Sequence, residues 1–327
     1  MGTRFVVFGA GAVGGVIAAR LHLAGSDVTA VARGEHLAAI QRNGLVLETP
    51  KQTVTVRLRA VATPDQVDWT DDDVVILAMK SQDTEAALRS LALAAPRSAV
   101  VVCAQNGVAN ERAALRTFEN VLGMCVMLPA AHLVPGVVQA HSIRAIGLLD
   151  VGRYPQGAGS SAQSLATTLE GAGFVSLPRP EIMRWKYAKL LLNLGNAVDA
   201  LCARDERSGR LLRMVREEGQ ASLDAAGIAH VSAEEDRSRR GDLISVGPTG
   251  GRERGGGSSW QSLSRSAGTI ETDYLNGEVV LLGRLHGVAT PANLLMQRTA
   301  NLAARDRLPP GSFTEAELLA RLEAPVP

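Results

Sequence analysis

Short apolar runs alternate with amphipathic segments through the first half of the chain. The runs are rich in Val, Ile and Leu and alternate little, which is typical of strands buried on both faces of a parallel sheet. We predict strands at Arg4–Phe8, Asp27–Val31, Asp73–Ala78, Ala99–Cys103 and Val121–Met127. Helical periodicity between them predicts helices at Val13–Ala24, Glu35–Arg42, Thr84–Ala94 and Glu111–Phe118. This alternation predicts βαβ units with right-handed crossovers.

Beyond the fifth predicted strand the pattern of hydrophobic positions is irregular at first, and in the second half of the chain it becomes helical. Leu133–Asp150 predicts a strand pair at the sheet edge, and Ala162–Ala172 predicts a helix. Pro178 and Pro180 punctuate the chain, so we place a domain boundary after residue 178. The remainder predicts helices at Glu181–Cys202, Asp205–Ala226, Trp260–Leu285 and Pro291–Ala304, with a mobile surface loop at Arg237–Gly257. The expected fold is an α/β Rossmann-type domain, residues 1–178, followed by an all-α domain, residues 179–327.

Composition narrows the class of protein. A formal net charge of +1 over 327 residues does not call for a nucleic-acid or membrane partner. No apolar stretch reaches the roughly 18 residues of a membrane span, and the glycines within Phe5–Leu23 argue against a targeting peptide. Cys103, Cys125 and Cys202 lack metal-ligand spacing, which predicts reduced thiols, no metal site and a cytoplasmic protein.

A glycine-rich turn, Gly9-Ala10-Gly11-Ala12-Val13-Gly14, follows the first predicted strand and opens the first predicted helix. This is the context in which G-x-G-x-x-G binds a dinucleotide. The first glycine makes the tight turn, the second admits the pyrophosphate, and the third packs the helix on the strand. The helix N-terminus then offers free N–H groups to the phosphates.

The end of the second predicted strand indicates which dinucleotide is bound. NAD-binding domains place a carboxylate there for the ribose hydroxyls, but this chain has Arg33 and no acid before Glu35. An arginine suits a 2′-phosphate, so the sequence favours NADP(H). The alternative interpretation is a solvated surface arginine.

One later helix carries an unusual set of polar side chains. At about 100° per residue, Lys189, Asn193 and Asn196 fall within an arc of roughly 60° on one face. The surrounding leucines are apolar, so an ammonium and two amides on this face need polar partners. A bound substrate or a structural polar network would each provide them.

With these motifs in hand, the chain resembles the ketopantoate reductases (2-dehydropantoate 2-reductases). The resemblance runs from Arg4 to about Asn301. It rests on the glycine turn, Lys80, Gln105-Asn106-Gly107, the Lys189–Asn196 helix, Glu271–Gly277 and Leu285–Asn293. It implies NADPH-dependent reduction of a 2-oxo acid to a 2-hydroxy acid, within pantothenate biosynthesis. The helical domain would complete the active site. The oligomeric state stays open, with a homodimer as one candidate.

The resemblance also implies a role for each matching residue. Lys189 would stabilise the incipient alkoxide and donate the proton, and Glu271 would pair with Lys189 or with a substrate hydroxyl. Asn193, Asn196 and Ser259 would bind the substrate. Asn106 would lie between the nicotinamide and the substrate, and Lys80 and Arg33 would hold the cofactor.

Several residues compete for these roles. Lys186, one turn before Lys189, is an alternative acid, and Asp273 is an alternative to Glu271. His286 is an alternative proton donor, although a histidine beside a glycine at a helix end is more often a cap or a packing residue. His132 and His141 fall in the predicted edge strands without a catalytic neighbour in sequence.

The chain departs from the family pattern on the substrate side. Asn193 and Asn196 are three residues apart where the family usually has four. In Ser258–Leu263, Leu263 replaces the acid typical of the family and Trp260 adds bulk. Ketopantoate is therefore the first candidate substrate, and another branched or larger 2-oxo acid is the second. The competing functions are a dehydrogenase of the hydroxyisobutyrate or glycerol-3-phosphate type and a non-catalytic NADP sensor.

Overall fold

The computed structural model describes residues 3–203, 208–251 and 254–323, and the chain forms two compact units. The first unit contains the chain up to Lys186 together with Ser232–Arg254. The second unit contains Tyr187–Val231 and the chain from Gly255 onward. The single boundary expected after residue 178 differs from this division in two ways. The chain changes unit inside a helix, and a later segment returns to the first unit.

The first unit contains a twisted sheet of seven strands, which is the Rossmann-type layer that the sequence predicts. Its order is β11-β8-β7-β6-β1-β2-β5, and all neighbouring pairs are parallel except β11 with β8. The strands are β1 Arg4–Phe8, β2 Asp27–Val31, β5 Arg59–Val61, β6 Val74–Leu77, β7 Val100–Cys103, β8 Asn120–Met127 and β11 Leu148–Arg153. A strand whose two faces are both covered needs apolar residues along its whole length. This is why most strands of this sheet could be predicted from the sequence.

A second, smaller sheet has the order β4-β3-β10-β9 and was not predicted. Its strands are β3 Leu45–Glu48, β4 Thr53–Val56, β9 Ala130–Ala131 and β10 Val137–Ala140. Leu133–Asp150 is therefore not a strand pair at one edge. β10 belongs to this second sheet, and β11 is the edge of the first. Such short strands, partly exposed, carry a weak hydrophobic signal.

Helices cover both faces of the large sheet. They are α1 Ala12–Leu23, α2 Gly34–Asn43, α3 Thr84–Ala94, α4 Asn110–Leu115 and α5 Gly159–Gly171, all within a few residues of their predicted bounds. The core includes Phe5, Ile17, Leu21 and Met124, none more than 1% exposed. Among the described residues, no helix combines the length and hydropathy needed to cross a membrane.

The returning segment is anchored to the first unit through Asp150, whose side chain is 5% exposed. The carboxylate of Asp150 accepts hydrogen bonds from Arg179 Nε at 2.9 Å and from Arg239 Nη2 at 2.6 Å. Arg239 lies in α9, Ala233–Arg240. The predicted surface loop at 237–257 is therefore helical at its start, and its residues 243–247 pair with the backbone of 141–145. Residues 252–253 lie outside the described residues.

The second unit is helical, as predicted. Its helices are α7 Gly195–Leu201, α8 Arg210–Ala225, α10 Ser258–Ser264, α11 Asn276–His286, α12 Pro291–Arg305 and α13 Glu315–Glu323, and α6, Ile182–Asn193, enters it from the first unit. The predicted helix 260–285 is interrupted because Ser266 and Gly268 adopt positive φ values of 50° and 73°. The start predicted at Asp205 falls in residues 204–207, which lie outside the described residues.

Candidate active site

The glycine-rich turn after β1 is shaped for a phosphate. Gly9 has a φ of +101°, and a Cβ there would lie 2.7 Å from Met79 N. A Cβ on Gly14 would collide with the Gly9 carbonyl oxygen, whereas no described atom lies within 4 Å of the Cβ position of Gly11. Within the described chain no side chain caps α1, and its first turn contains no acid. The first N–H groups of α1 therefore suit an anion, and the space beside Gly11 admits one.

The end of β2 presents a cation to the same edge of the sheet. Arg33 is the N-cap residue of α2, and its side chain is 77% exposed. The guanidinium lies 3.7 Å from Asp83 Oδ2, a pairing that is weak at this exposure. The first carboxylate after β2 is Glu35, in the first turn of α2. Together with the turn after β1, these residues fit a bound dinucleotide.

Asn106 lies in a turn after β7 that a buried polar network supports. The side-chain amide of Gln105 donates to Thr84 Oγ1 at 2.7 Å, and the Thr84 hydroxyl donates to Asn110 Oδ1 at 2.8 Å. Asn110 Nδ2 then donates to the carbonyl of Asn106 at 3.1 Å. Lys80, partly buried, follows β6, the strand beside β7. The network fixes the backbone of the turn and leaves the Asn106 side chain partly exposed.

Lys186, the alternative acid, is buried in an ion pair with Glu111, and their side chains are 2% and 0% exposed. Lys186 Nζ also donates to the carbonyl oxygens of Gln105 at 2.9 Å and Cys103 at 3.5 Å. Burial raises the pKa of the Cys103 thiol, and the Glu111 carboxylate raises it further. Cys103 therefore stays a neutral thiol beside this pair. The ammonium is thus directed at the backbone of the first unit.

A histidine that the sequence analysis missed anchors the glycine turn. His36 Nδ1 accepts the Gly136 N–H at 2.8 Å, so Nε2 carries the proton and donates to the Ala10 carbonyl at 2.7 Å. The ring also lies 4.1 Å from that of His132. His141 is buried just after β10, 1% exposed. No local signal identifies His36, because its partners come from two distant parts of the chain.

Lys189 and Asn193 occupy the last turns of α6, in the second unit. Lys189 is partly buried, and Asn193 is 5% exposed. The side-chain nitrogen Nδ2 of Asn193 is buried and has no hydrogen-bond partner among the described residues. An amide in that state costs free energy unless a bound group satisfies it. A polar ligand or a bound water would satisfy it.

Asn196 begins a different helix from Lys189, because α6 ends at Asn193 and α7 begins at Gly195. Asp199, one turn further along α7, accepts the Gly257 N–H at 2.9 Å. Gly257 is the N-cap residue of α10, the helix that carries Ser259. Ser259 is buried, 1% exposed. The second unit thus joins the element bearing Asn196 to the element bearing Ser259.

The two departures from the family pattern in this region are packing features. Leu263 is 2% exposed and fills the core of the second unit. A Cβ on Gly255 or Gly256 would collide with the Trp260 ring. The indole therefore lies against a backbone that must be glycine, which accounts for the glycine-rich sequence before α10.

Glu271 is buried, 4% exposed, at the start of a short 3-10 helix, residues 271–274. Its competitor Asp273 is exposed, and its Oδ1 accepts hydrogen bonds from Gln297 at 2.7 Å and from Asn301 at 2.8 Å. His286, the alternative proton donor, is the exposed last residue of α11. Asp273 is thus held at the surface by two side-chain amides and His286 is exposed, whereas Glu271 is a buried acid.

Two asparagines from the family-like motifs meet in the interior of the second unit. Asn276 Nδ2 donates to Asn293 Oδ1 at 3.0 Å and to the Leu194 carbonyl at 3.3 Å. Leu194 separates α6 from α7, so Asn276 satisfies the carbonyl at the helix break. No role was predicted for Asn276 or Asn293 from the sequence. Their role is to hold the segment between Asn193 and Asn196.

A glycine-rich turn on a Rossmann-type sheet, followed by a helical unit, is the architecture expected of an NAD(P)H-dependent oxidoreductase. The model of the family "Ketopantoate reductase PanE/ApbA" matches residues 5–156, and the model of its C-terminal part matches residues 181–303. The chain is 30% identical to a 2-dehydropantoate 2-reductase of Caulobacter vibrioides, covering 92% of this chain and 99% of that one. It therefore belongs to the ketopantoate reductase family, whose members are oxidoreductases acting on CH–OH groups.

Further relatives and solved structures agree with this assignment. A 2-dehydropantoate 2-reductase of Archaeoglobus fulgidus is 29% identical, covering 89% of this chain and 94% of that one. A PanE/ApbA family ketopantoate reductase from Ralstonia eutropha superposes with a TM-score of 0.78 at 29% identity, over 93% of this chain and 99% of that one. D-mandelate dehydrogenase with NADH and anilino(oxo)acetate also reaches 0.78, at 22% identity over 93% and 99% of the chains. The last likeness shows a shared fold.

Proposed function

We propose that this protein reduces a 2-oxo acid to the 2-hydroxy acid with NADPH, and that ketopantoate is its first candidate substrate. The observation that carries the proposal is the buried, unpartnered amide of Asn193 one helical turn beyond Lys189. It supplies a binding group next to an acid, on a chain that belongs to a family of reductases. The competing sensor function would not need that combination.

NADPH is proposed over NADH because the end of β2 carries Arg33 and no carboxylate. The exposed guanidinium suits a 2′-phosphate, and the first turn of α1 would bind the pyrophosphate. Lys80 and Asn106 would hold the nicotinamide end. When bound, NADPH supplies the hydride that adds to C2 of the 2-oxo acid.

Lys189 is the proposed acid. Negative charge develops on the C2 oxygen as the carbonyl is reduced, and the ammonium of Lys189 stabilises it and gives it a proton. The neutral lysine then regains a proton from solvent. Glu271 is proposed to hold Lys189 or a substrate hydroxyl, since a buried carboxylate favours a charged or hydroxylated partner.

Asn193, Asn196 and Ser259 are the proposed substrate-binding residues. The free amide of Asn193 would donate to an oxygen of the substrate carboxylate. Asn196 and Ser259 lie on α7 and α10, which the Asp199–Gly257 hydrogen bond joins. These helices would present a second amide and a hydroxyl to the substrate.

A larger or branched 2-oxo acid is the second candidate substrate. Leu263 is buried where the family typically has an acid, so a substrate hydroxyl has no carboxylate partner at that position. Trp260 adds an indole on the same helix. An apolar side chain on the substrate would lose less there than the hydroxylated side chain of ketopantoate.

The test follows NADPH oxidation with ketopantoate, with NADH and no-substrate controls, and then compares a panel of 2-oxo acids by kcat/KM. Rapid oxidation of NADPH together with slow oxidation of NADH supports the assignment. A preference of more than about tenfold for another 2-oxo acid replaces ketopantoate and keeps the reaction. NADPH binding without turnover on any 2-oxo acid would favour the sensor.

A further inference from the structure

We propose that Lys186 is a positioning residue of the reaction: with Glu111 as its counter-ion, it clamps the turn that carries Asn106. This inference rests on the proposed function, in which Asn106 contacts the nicotinamide and the substrate. Lys186 itself touches neither of them. It acts through the backbone of the residues before Asn106.

The clamp is built from one ammonium and two carbonyl oxygens. Lys186 Nζ lies 2.9 Å from Gln105 O and 3.5 Å from Cys103 O. Cys103 is the last residue of β7, so the two carbonyls converge where the chain leaves the sheet. A single cation that binds carbonyls two residues apart fixes the direction in which the next residue, Asn106, leaves the turn.

The opposite side of the turn is held by neutral groups. The side-chain amide of Gln105 donates to Met79 O at 3.0 Å and to Thr84 Oγ1 at 2.7 Å. Asn110 Nδ2 donates to Asn106 O at 3.1 Å. These bonds connect the turn to the segment after β6, to α3 and to α4. The ammonium of Lys186 is the charged member of the set.

Stability alone does not account for a buried ion pair here. Two charges lose their hydration when their side chains are 2% and 0% exposed, and an apolar pair of similar volume is often at least as stable. Glu111 Oε2 has no hydrogen-bond partner among the described residues. What the charged pair supplies, and an apolar pair would not, is a donor aimed at the Gln105 carbonyl.

The test compares the wild type with the double variant K186M/E111Q. This variant removes both charges together, so neither charge is left buried without its partner. Arg4 and Asp73 form a matched pair in the same unit, at the start of β1, with the Asp73 side chain fully buried. The control is therefore R4M/D73N. K186R is the conservative variant, because its guanidinium retains donors for Gln105 O and Glu111. All proteins are assayed below their unfolding transitions.

Two measurements are made on each protein: kcat with NADPH and the best 2-oxo acid, and hydrogen exchange of residues 104–109 without ligands. We expect K186M/E111Q to exchange faster in this segment and to lose about tenfold to 100-fold in kcat, because a small misplacement of a positioning group costs about that much. NADPH affinity should fall by less than kcat, because Asn106 is only one of the residues proposed to hold the cofactor. K186R should recover much of the loss, and R4M/D73N should lower the unfolding temperature without either effect.

Unchanged exchange at 104–109, or unchanged kcat, in a folded K186M/E111Q would overturn the inference. An equal loss of kcat in R4M/D73N would do the same, since it would reduce the role of Lys186 to general stability. Failure of the proposed function has a different signature. There the wild type itself turns over no 2-oxo acid, whatever its variants do.

Discussion

The glycine turn of the first unit and the Lys189–Asn196 region of the second differ in the groups that they present: backbone groups in the turn and side chains in the other region. The turn presents backbone N–H groups, and its glycines are dictated by sterics: a positive φ at Gly9, a clash at Gly14 and open space at Gly11. The other region presents side chains, and they come from α6, α7, α10 and a 3-10 helix. The glycine turn is formed by the backbone conformation of one short segment. The other region is formed by side chains from several separate helices.

This difference determines how each region responds to substitution. A site made of backbone depends on what the side chains leave room for, so adding a methyl group is the damaging change. A site made of side chains depends on their functional groups, so truncation is the damaging change, and the backbone should survive it. Binding of the cofactor and turnover of the substrate should therefore be separable.

The strongest test of that separation is Lys189→Met. Loss of the proton donor should lower kcat by about 100-fold to 10,000-fold, because that is the usual contribution of a positioned general acid. NADPH affinity should be unchanged, since the turn lies in the other unit. The measurements are steady-state kinetics and fluorescence titration with NADPH. The control is Arg216→Met, which removes an exposed cation on α8 and should change neither kcat nor NADPH affinity. Retained turnover would remove Lys189 from its proposed role.

Arg33→Ala tests the charged side chain proposed to bind the 2′-phosphate. Loss of a charged hydrogen bond of about 1.5–3 kcal/mol should reduce the preference for NADPH over NADH by roughly 10-fold to 100-fold. The comparison is kcat/KM for the two cofactors. Arg59→Ala removes another exposed, ion-paired arginine of the same unit and should leave the ratio alone. An unchanged ratio in Arg33→Ala would make Arg33 a solvated surface residue.

The same contrast explains how much the sequence could predict. The Rossmann-type sheet and the helical second half were correctly predicted, because buried parallel strands and long helices each impose their own periodicity. The glycine turn was visible because its three glycines fall within six consecutive residues. These features are local, and local rules are enough to predict them.

What the sequence could not show depends on distant partners. β3 and β4 were missed because short, half-exposed strands are recognised only by their pairing. The return of Ser232–Arg254 to the first unit depends on Arg239 meeting Asp150, 89 residues earlier. The Lys186–Glu111 pair and the His36 contact with Gly136, 100 residues away, are of the same kind. Resemblance to the family supplied candidate roles, but no geometry.

Paired glycine substitutions sharpen the description of the turn. Gly11→Ala places a methyl group in space that no described atom occupies, so stability should hold while NADPH affinity falls about tenfold. Gly14→Ala meets the Gly9 carbonyl and should cost about 1–3 kcal/mol of stability. Gly171→Ala, also with an open Cβ position, is the control. Thermal unfolding and NADPH titration distinguish these outcomes, and full affinity in Gly11→Ala would contradict a phosphate at that position.

The smallest expected effect concerns the first unit away from the turn. Burial lowers the pKa of His141 below the ordinary value of 6.5; Arg254 lowers it further, and the Gly247 carbonyl and Glu48 oppose the shift. Because the folded pKa is depressed, the unfolded chain binds the proton first. The neutral ring's contribution to stability is therefore complete above pH 6.5 and is lost as the pH falls through the folded pKa.

His141→Asn removes this titration while keeping a donor for the Gly247 carbonyl, which His141 Nδ1 contacts at 3.4 Å. Urea unfolding of both proteins across the acidic range should show the wild type losing stability relative to the variant as the pH falls below 6.5. NADPH affinity should follow the folded fraction alone, since His141 lies outside the glycine turn. If the stabilities of the wild type and the variant change with pH in the same way, His141 has the same pKa in the folded and the unfolded chain. An independent loss of NADPH affinity would extend the cofactor site to the second sheet.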